Sequence, residues 1–306
     1  MSLLDRAVVL ALPLVPKPIV GFFSKRYIAG ASRDEAFRVV RELEREGAMA
    51  TLDILGEFTS SLDQADANTR AYVDLVKQLP VERLVATNVS VKLTAIGLLL
   101  DRSHCLANMR ALVGAAAETN GFVRIDMEDA QCTDATLAIY RTLRAEFPGR
   151  VGVVLQARLR RTMDDIDAAT SEPANFRLCK GIYVEPRAIA YTDPELIRSN
   201  FTLALTRMFE RKAYVGIATH DERLVWEALR LVRQFSLAPA QYEFQMLLGV
   251  EEELRRILLA AGHRLRVYVP YGEEWHAYSV RRLRESPQIA GHAIKALLRR
   301  RPTRTP

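Results

Sequence analysis

Short runs rich in β-branched and aromatic residues recur along this chain, and helical patterns fill the intervals between them. The runs are Met49 to Leu55, Asn88 to Leu93, Phe122 to Met127, Val151 to Gln156, Phe176 to Ile182, Tyr214 to Thr219, Tyr242 to Leu247 and Leu265 to Val269. Intervals such as Asp101 to Thr119, Thr133 to Glu146 and Pro194 to Lys212 are long enough for crossover helices. Strand then helix, eight times over, predicts an α/β protein built as a (β/α)8 (TIM) barrel. A doubly wound open sheet shares the alternation. The placement of polar residues favours the barrel, because Asp53, Glu57, Lys92, Asp126, Glu128, Gln156, Lys180, Tyr183, His220, Asp221, Gln245 and Tyr268 stand at or just past the C-terminal ends of the runs. That is the end where such barrels build active sites.

Before the first run, Ser32 and Glu35 have capping-box spacing, and the helix they open carries Phe37, Val40 and Leu43 toward a stop near Gly47. No repeat or flexible linker divides the chain, so one structural domain is expected. It comprises a helical segment (1–48) packed outside the barrel, a catalytic barrel (49–288) and a basic tail (289–306).

With 49% hydrophobic and 26% charged residues the chain can bury a sizeable core. Its net charge of +6 is spread along the sequence without a nucleic-acid motif, so nucleic acid is not an expected partner. The densest basic run, Arg299 to Arg304, reads as a solvated tail, and acidic substrates or a membrane surface remain as partners. Three separated cysteines outside any CxxC pattern indicate a reducing compartment, hence a cytoplasmic location. The histidines form no HExxH, so no metal site is expected. Apolar residues from Ala7 to Val20 are interrupted by Pro13, Pro16, Lys17 and Pro18, which predicts two short amphipathic helices, covering the core or resting on a membrane surface, and not a span. Neither GxGxxG nor GxxxxGK[ST] occurs, so no Rossmann or P-loop site is written here.

Several residues carry chemistry. Lys92, in VSVKLT, ends a β-run and is expected to point into the barrel mouth, where an ammonium needs a carboxylate; Asp126, in FVRIDMED, is the expected partner. The run FRLCKGIYVEP brings Arg177 and Lys180 beside Gly181 and Tyr183, a set that suits a phosphate-bearing cofactor. His220-Asp221 reads as a core pair, a proton relay or a cofactor contact. The stretch Tyr268 to Glu285 joins a strand to a helix on which Tyr278, Arg281, Arg282 and Glu285 share one arc. Two guanidiniums beside an aromatic ring suit a small carboxylate with an apolar body, such as a cyclic amino acid. The plain alternative is a solvated helix whose arginines pair with glutamates.

Taken in order, VSVKLT, FVRIDMED, VLQARLRRT, FRLCKGIYVEP, ATHD, YEFQMLLG and YVPYGEEWHAYSVRRLRE resemble the motifs of the proline dehydrogenase family, in its short bacterial single-function form, from about Thr51 to Glu285. The resemblance implies a distorted (β/α)8 barrel with bound FAD. It implies oxidation of L-proline to Δ1-pyrroline-5-carboxylate, the first step of proline catabolism, by hydride transfer from proline C5 to flavin N5, with electrons passed to a membrane quinone. A peripheral seat on the inner face of the cell membrane follows from that acceptor.

Carried over by position, Arg281, Arg282 and Lys92 resemble the clamp on the proline carboxylate, Asp126 its acidic support, and Tyr278 and Tyr268 the walls of the ring. Glu57 is similar to a loop glutamate that pairs with Arg281 and closes the site. Gln156 and Arg177 match flavin-ring contacts, and Lys180, Gly181, Thr219 and His220 match positions near the cofactor's phosphates and adenosine. Met127, Tyr183 and Gln245 complete the expected cofactor set. Two departures stand out. Val184 sits where some relatives place an aromatic ring against the adenine, and the DNA-binding and aldehyde-dehydrogenase regions of bifunctional relatives are absent, so neither activity is expected. Two rival readings remain: a lyase or aldolase using Lys92 as a Schiff base, and a non-catalytic barrel that binds a small acid.

Overall fold

The computed structural model describes residues 26–56, 58–170 and 174–275. Helix α1 (Arg33–Arg45) precedes β1 (Met49–Ile54); then come α2 (Leu62–Val81), β2 (Asn88–Val91), a 3-10 turn (Leu93–Ile96), α3 (Arg102–Glu118), β3 (Val123–Ile125), α4 (Ala130–Glu146) and β4 (Val151–Gln156). The second half holds α5 (Thr162–Ala169), β5 (Asn175–Cys179), α6 (Pro194–Glu210), β6 (Tyr214–Ala218), α7 (Glu222–Gln234), β7 (Tyr242–Leu247), α8 (Glu252–Ala260) and β8 (Leu265–Tyr271). The strands form a closed barrel in sequence order. All pairs are parallel, and β8 closes on β1 with Met49 opposite Arg266 and Ile54 opposite Tyr271.

Local chemistry sets the helix starts. Ser32 and Glu35 form the expected capping box, and α1 buries Ala36, Phe37, Val40 and Leu43 against β1 and β8. Ser61, Asp101 and Asp193 accept backbone N–H bonds at the starts of α2, α3 and α6. Of the N-terminal helices expected outside the barrel, α1 is described; the apolar stretch from Ala7 to Val20 and the basic tail lie outside the described residues. Among the described residues no helix is long and apolar enough to cross a membrane.

Both faces of the strands are buried, but they differ in chemistry. The outward face carries aliphatic side chains such as Leu52, Val89, Ile125, Val153 and Ile217 into the main core under the helices. The inward face is polar. Arg177 on β5 reaches Ser90 on β2, 3.1 Å away, and two such widely separated strands meet only across the barrel interior. At the N-terminal floor, Arg266 donates to Glu243 (2.8 Å) and to the carbonyls of Ala50 and Ala86 (2.6 and 2.9 Å). Arg124, fully buried, donates to the Asn175 carbonyl (2.9 Å) and to the Asn175 side chain. Strand β2 ends earlier than its sequence suggests, at Val91, so Lys92 opens the 3-10 turn.

Candidate active site

The C-terminal ends of β1, β2 and β3 and the middles of β5 and β8 bring five charged or phenolic side chains to one place. Lys92 Nζ lies 3.0 and 2.9 Å from the two carboxylate oxygens of Asp53 and 3.5 Å from Tyr268 Oη. Its distance to Asp126 is 4.0 Å. The expected partner Asp126 is thus at ion-pair distance, but Asp53, at the end of β1, is the nearer partner of Lys92, and Asp126 serves chiefly Arg177, whose Nη1 lies 2.7 Å from its Oδ1. Both carboxylates rise from strands that flank β2, with Leu52 of β1 opposite Val89 and Ile125 of β3 opposite Val91, and Arg177 engages Asp126 from across the barrel. Asp126 also accepts from Ser90 Oγ (2.6 Å) and Tyr268 Oη (2.8 Å). Burial raises the Asp53 carboxyl above its usual range, and the Lys92 ammonium acts against that rise. Tyr72, on α2, donates to Asp53 (3.3 Å) and fixes the carboxylate from behind.

Arg177 ties this cluster to the interior. Its guanidinium lies 5.2 Å from the centre of the Tyr268 ring, and its Nε donates to Gln245 Oε1. Nη2 makes no protein hydrogen bond among the described residues, so it is available to a ligand.

The other expected cofactor residues ring the same mouth on β3 to β7. Gln156, at the end of β4, donates from Nε2 to the Glu128 carbonyl (2.7 Å). Gly181 has φ +93°, a conformation that favours glycine, and it sits hard against Gln156 and Arg158. Arg158 Nη1 binds the Tyr183 carbonyl, while its buried Nε has no partner among the described residues. Lys180 and Arg198 both grip Asp221, at 3.1 and 2.7 Å. Thr219 Oγ1 caps the Asp221 N–H (3.1 Å), and His220 Nε2 accepts from the Leu247 N–H (2.8 Å). Met127 is buried within the main core. Glu57, Tyr278, Arg281 and Arg282 lie outside the described residues.

Two contributors were not assigned from the sequence. Asp53 was visible as a strand-end carboxylate but had no assigned partner, and Glu128 accepts from Thr94 N (3.1 Å) and Thr94 Oγ1, locking the turn after Lys92 to β3. Period-two spacing was the available signal: Thr51 with Asp53, Ser90 with Lys92, and Arg124 with Asp126 place polar side chains on one face of otherwise apolar strands.

Comparison with known proteins identifies relatives of the chain. The proline dehydrogenase family model matches residues 36–293. A proline dehydrogenase of Deinococcus radiodurans is 35% identical over 282 residues, covering 90% of each chain. Proline dehydrogenase 1 of Bacillus subtilis is 34% identical over 277 residues, covering 90% of this chain and 91% of its own. The crystal structure of proline utilization A (PutA) from Bdellovibrio bacteriovorus, inactivated by N-propargylglycine, superposes with a TM-score of 0.82 at 27% identity. The match covers 87% of this chain and 32% of that longer one. With a family model spanning the barrel and full-length relatives above 30% identity, the chain belongs to the proline dehydrogenase family of oxidoreductases.

Proposed function

We propose that this chain oxidises L-proline to Δ1-pyrroline-5-carboxylate with FAD as its cofactor and passes the electrons to a membrane quinone, as the first step of proline breakdown. The observation that carries this reading is the cluster of Lys92, Asp53, Asp126, Arg177 and Tyr268 at the barrel mouth. Lys92 and Arg177 are each matched there by a carboxylate, so their charge is largely compensated. A substrate carboxylate therefore needs further cations, the role that the family resemblance gives to Arg281 and Arg282. Tyr268, held by Asp126, presents a fixed aromatic face to the proline ring. L-proline loses a hydride from C5 and a proton from nitrogen, and positioning of C5 is the main contribution of the chain.

The donor chemistry of the mouth fits a flavin. Arg177 Nη2 is open to an acceptor on the ring, and the orphaned Arg158 Nε together with Lys180 offers positive charge for a pyrophosphate. When bound, FAD supplies the two-electron acceptor for the C5 hydride. Dinucleotide motifs for NAD are absent, which favours a quinone as the final acceptor.

The test is spectroscopic. The purified protein is expected to be yellow, to bleach under anaerobic L-proline, and to reduce a soluble quinone faster than NAD. N-propargylglycine, named as the inactivator of the Bdellovibrio relative, is expected to inactivate it too. A colourless protein that cannot be reconstituted with FAD, or rapid NADH production, overturns the reading.

A further inference from the structure

The floor of the barrel is joined to its mouth by one continuous chain of hydrogen bonds. Glu243 on β7 is 2% exposed, and its carboxylate receives four donors: Arg266 Nε (2.8 Å), Arg266 Nη2 (3.3 Å), Tyr214 Oη (2.8 Å) and Gln245 Nε2 (2.6 Å). Burial alone would raise this carboxyl, but Arg266 and the other donors hold it down at about 2. An ionised carboxylate can only accept. The Gln245 amide facing it must therefore present its NH2, which turns Oε1 to the opposite side. There Oε1 accepts from Arg177 Nε. With Nη1 held by Ser90 and Asp126, the guanidinium plane is fixed on both edges, and Nη2 remains for a ligand.

A second observation points to the same side chain. Gly216 on β6 stands in register between Arg177 on β5 and Glu243 on β7. Its φ is not in the left-handed region, so the backbone does not require glycine there. Space does. The three atoms nearest to a Cβ at Gly216 all belong to Gln245; it would overlap Nε2 and approach Cδ to 2.8 Å. The gap left by the missing side chain is the slot in which the Gln245 amide bridges floor and mouth.

We propose that Glu243 is a positioning residue of the proline-oxidising site: acting through Gln245 in the Gly216 slot, it aims the Arg177 guanidinium at the bound cofactor. The proposal rests on the reading that Arg177 contacts a flavin. Glu243 lies at the floor and acts through the amide: with the Arg177 Nε–H at the other end, it fixes which atom of Gln245 faces Arg177, and so where the free Nη2 points.

Two variants test this without breaking the Glu243–Arg266 pair. Gln245→Leu removes the bridge, and Gly216→Ala displaces it by adding a methyl that meets the free end of one flexible side chain. In the FAD-loaded enzyme both are expected to shift the flavin reduction equilibrium about tenfold against reduction, or ~30 mV for a two-electron couple. KM for proline should stay within about twofold, because the bridge binds no substrate. Spectroelectrochemical titration reads the potential, which a purely structural defect would leave in place. Variants that hold FAD at the wild-type potential overturn the proposal while leaving the proline dehydrogenase reading intact. A wild-type protein that binds no flavin overturns that reading instead. Should Gln245→Leu fail to fold, Gly216→Ala decides alone, and a Gly216→Ala chain that does not fold contradicts the local role assigned to the slot.

Discussion

Asp53 Oδ2 lies 2.9 Å from Lys92 Nζ, both side chains are buried, and they rise from the first two strands of the barrel. Removing one member of such a pair strands the other. Lys92→Met is therefore expected to cost about 3–5 kcal/mol of stability in urea unfolding. Replacing both, as Asp53→Leu with Lys92→Met, should regain most of that loss yet remain inactive on proline. Additive costs would show that the two residues do not act as one buried pair.

Gly181 has φ +93°, and a methyl there would lie 2.5 Å from Gln156 Oε1 and 2.8 Å from Arg158 Cδ. Gly181→Ala must strain the backbone by roughly 1–2 kcal/mol and push Gln156 from its place. The expected outcome is a lower melting temperature and a reduced ratio of flavin to protein absorbance after purification. Full flavin content at wild-type stability would contradict the tight approach of β4 and β5 at this point.

Glu243 predicts a pH dependence. Its carboxyl titrates at about 2 in the folded protein against 4.5 for the free group. The folded value is the lower one, so the stability it contributes is complete above about pH 4.5 and is lost as pH falls toward 2. The gap corresponds to about 3 kcal/mol. Glu243→Gln should be less stable than wild type at pH 7, with the difference narrowing below pH 4.5 in denaturant melts. A difference that stays constant across that interval would rule out an ionised Glu243 as the anchor of the floor.

The sequence alone carries the prediction for Arg281, Arg282 and Glu57, which lie outside the described residues. Arg282→Lys keeps charge but loses the bidentate fork, and a charged hydrogen bond is worth roughly 1.5–3 kcal/mol, so kcat/KM for proline should fall on the order of 10- to 100-fold, mostly through KM. Arg281→Met and Glu57→Ala should be non-additive in the rate of anaerobic flavin reduction if the two residues pair to close the site. Wild-type affinity in both arginine variants would return this stretch to the plain reading of a solvated surface.

The strand–helix alternation determined the α/β class by itself, because each run that must be buried on both faces is a short apolar stretch punctuated by turn residues and caps, and the polar residues at the strand ends favoured a barrel over an open sheet. Met49, Asn88, Val151, Tyr214, Tyr242 and Leu265 begin strands where the sequence placed them. It also marked Lys92, Asp126, Gln156, Arg177 and Tyr268, since a polar side chain within or at the end of a strand is conspicuous in an apolar run. Which of these side chains meet was not readable along the chain. The Asp53–Lys92 pair depends on β1 lying beside β2, the Arg177–Ser90 contact on two strands facing each other across a closed barrel, and both are tertiary facts. The charged floor was hidden for a related reason. Glu243, Arg266 and Arg124 alternate with apolar neighbours as solvent-facing residues would, and only closure of β8 on β1 turns that polar face inward, where each charge must find its partner.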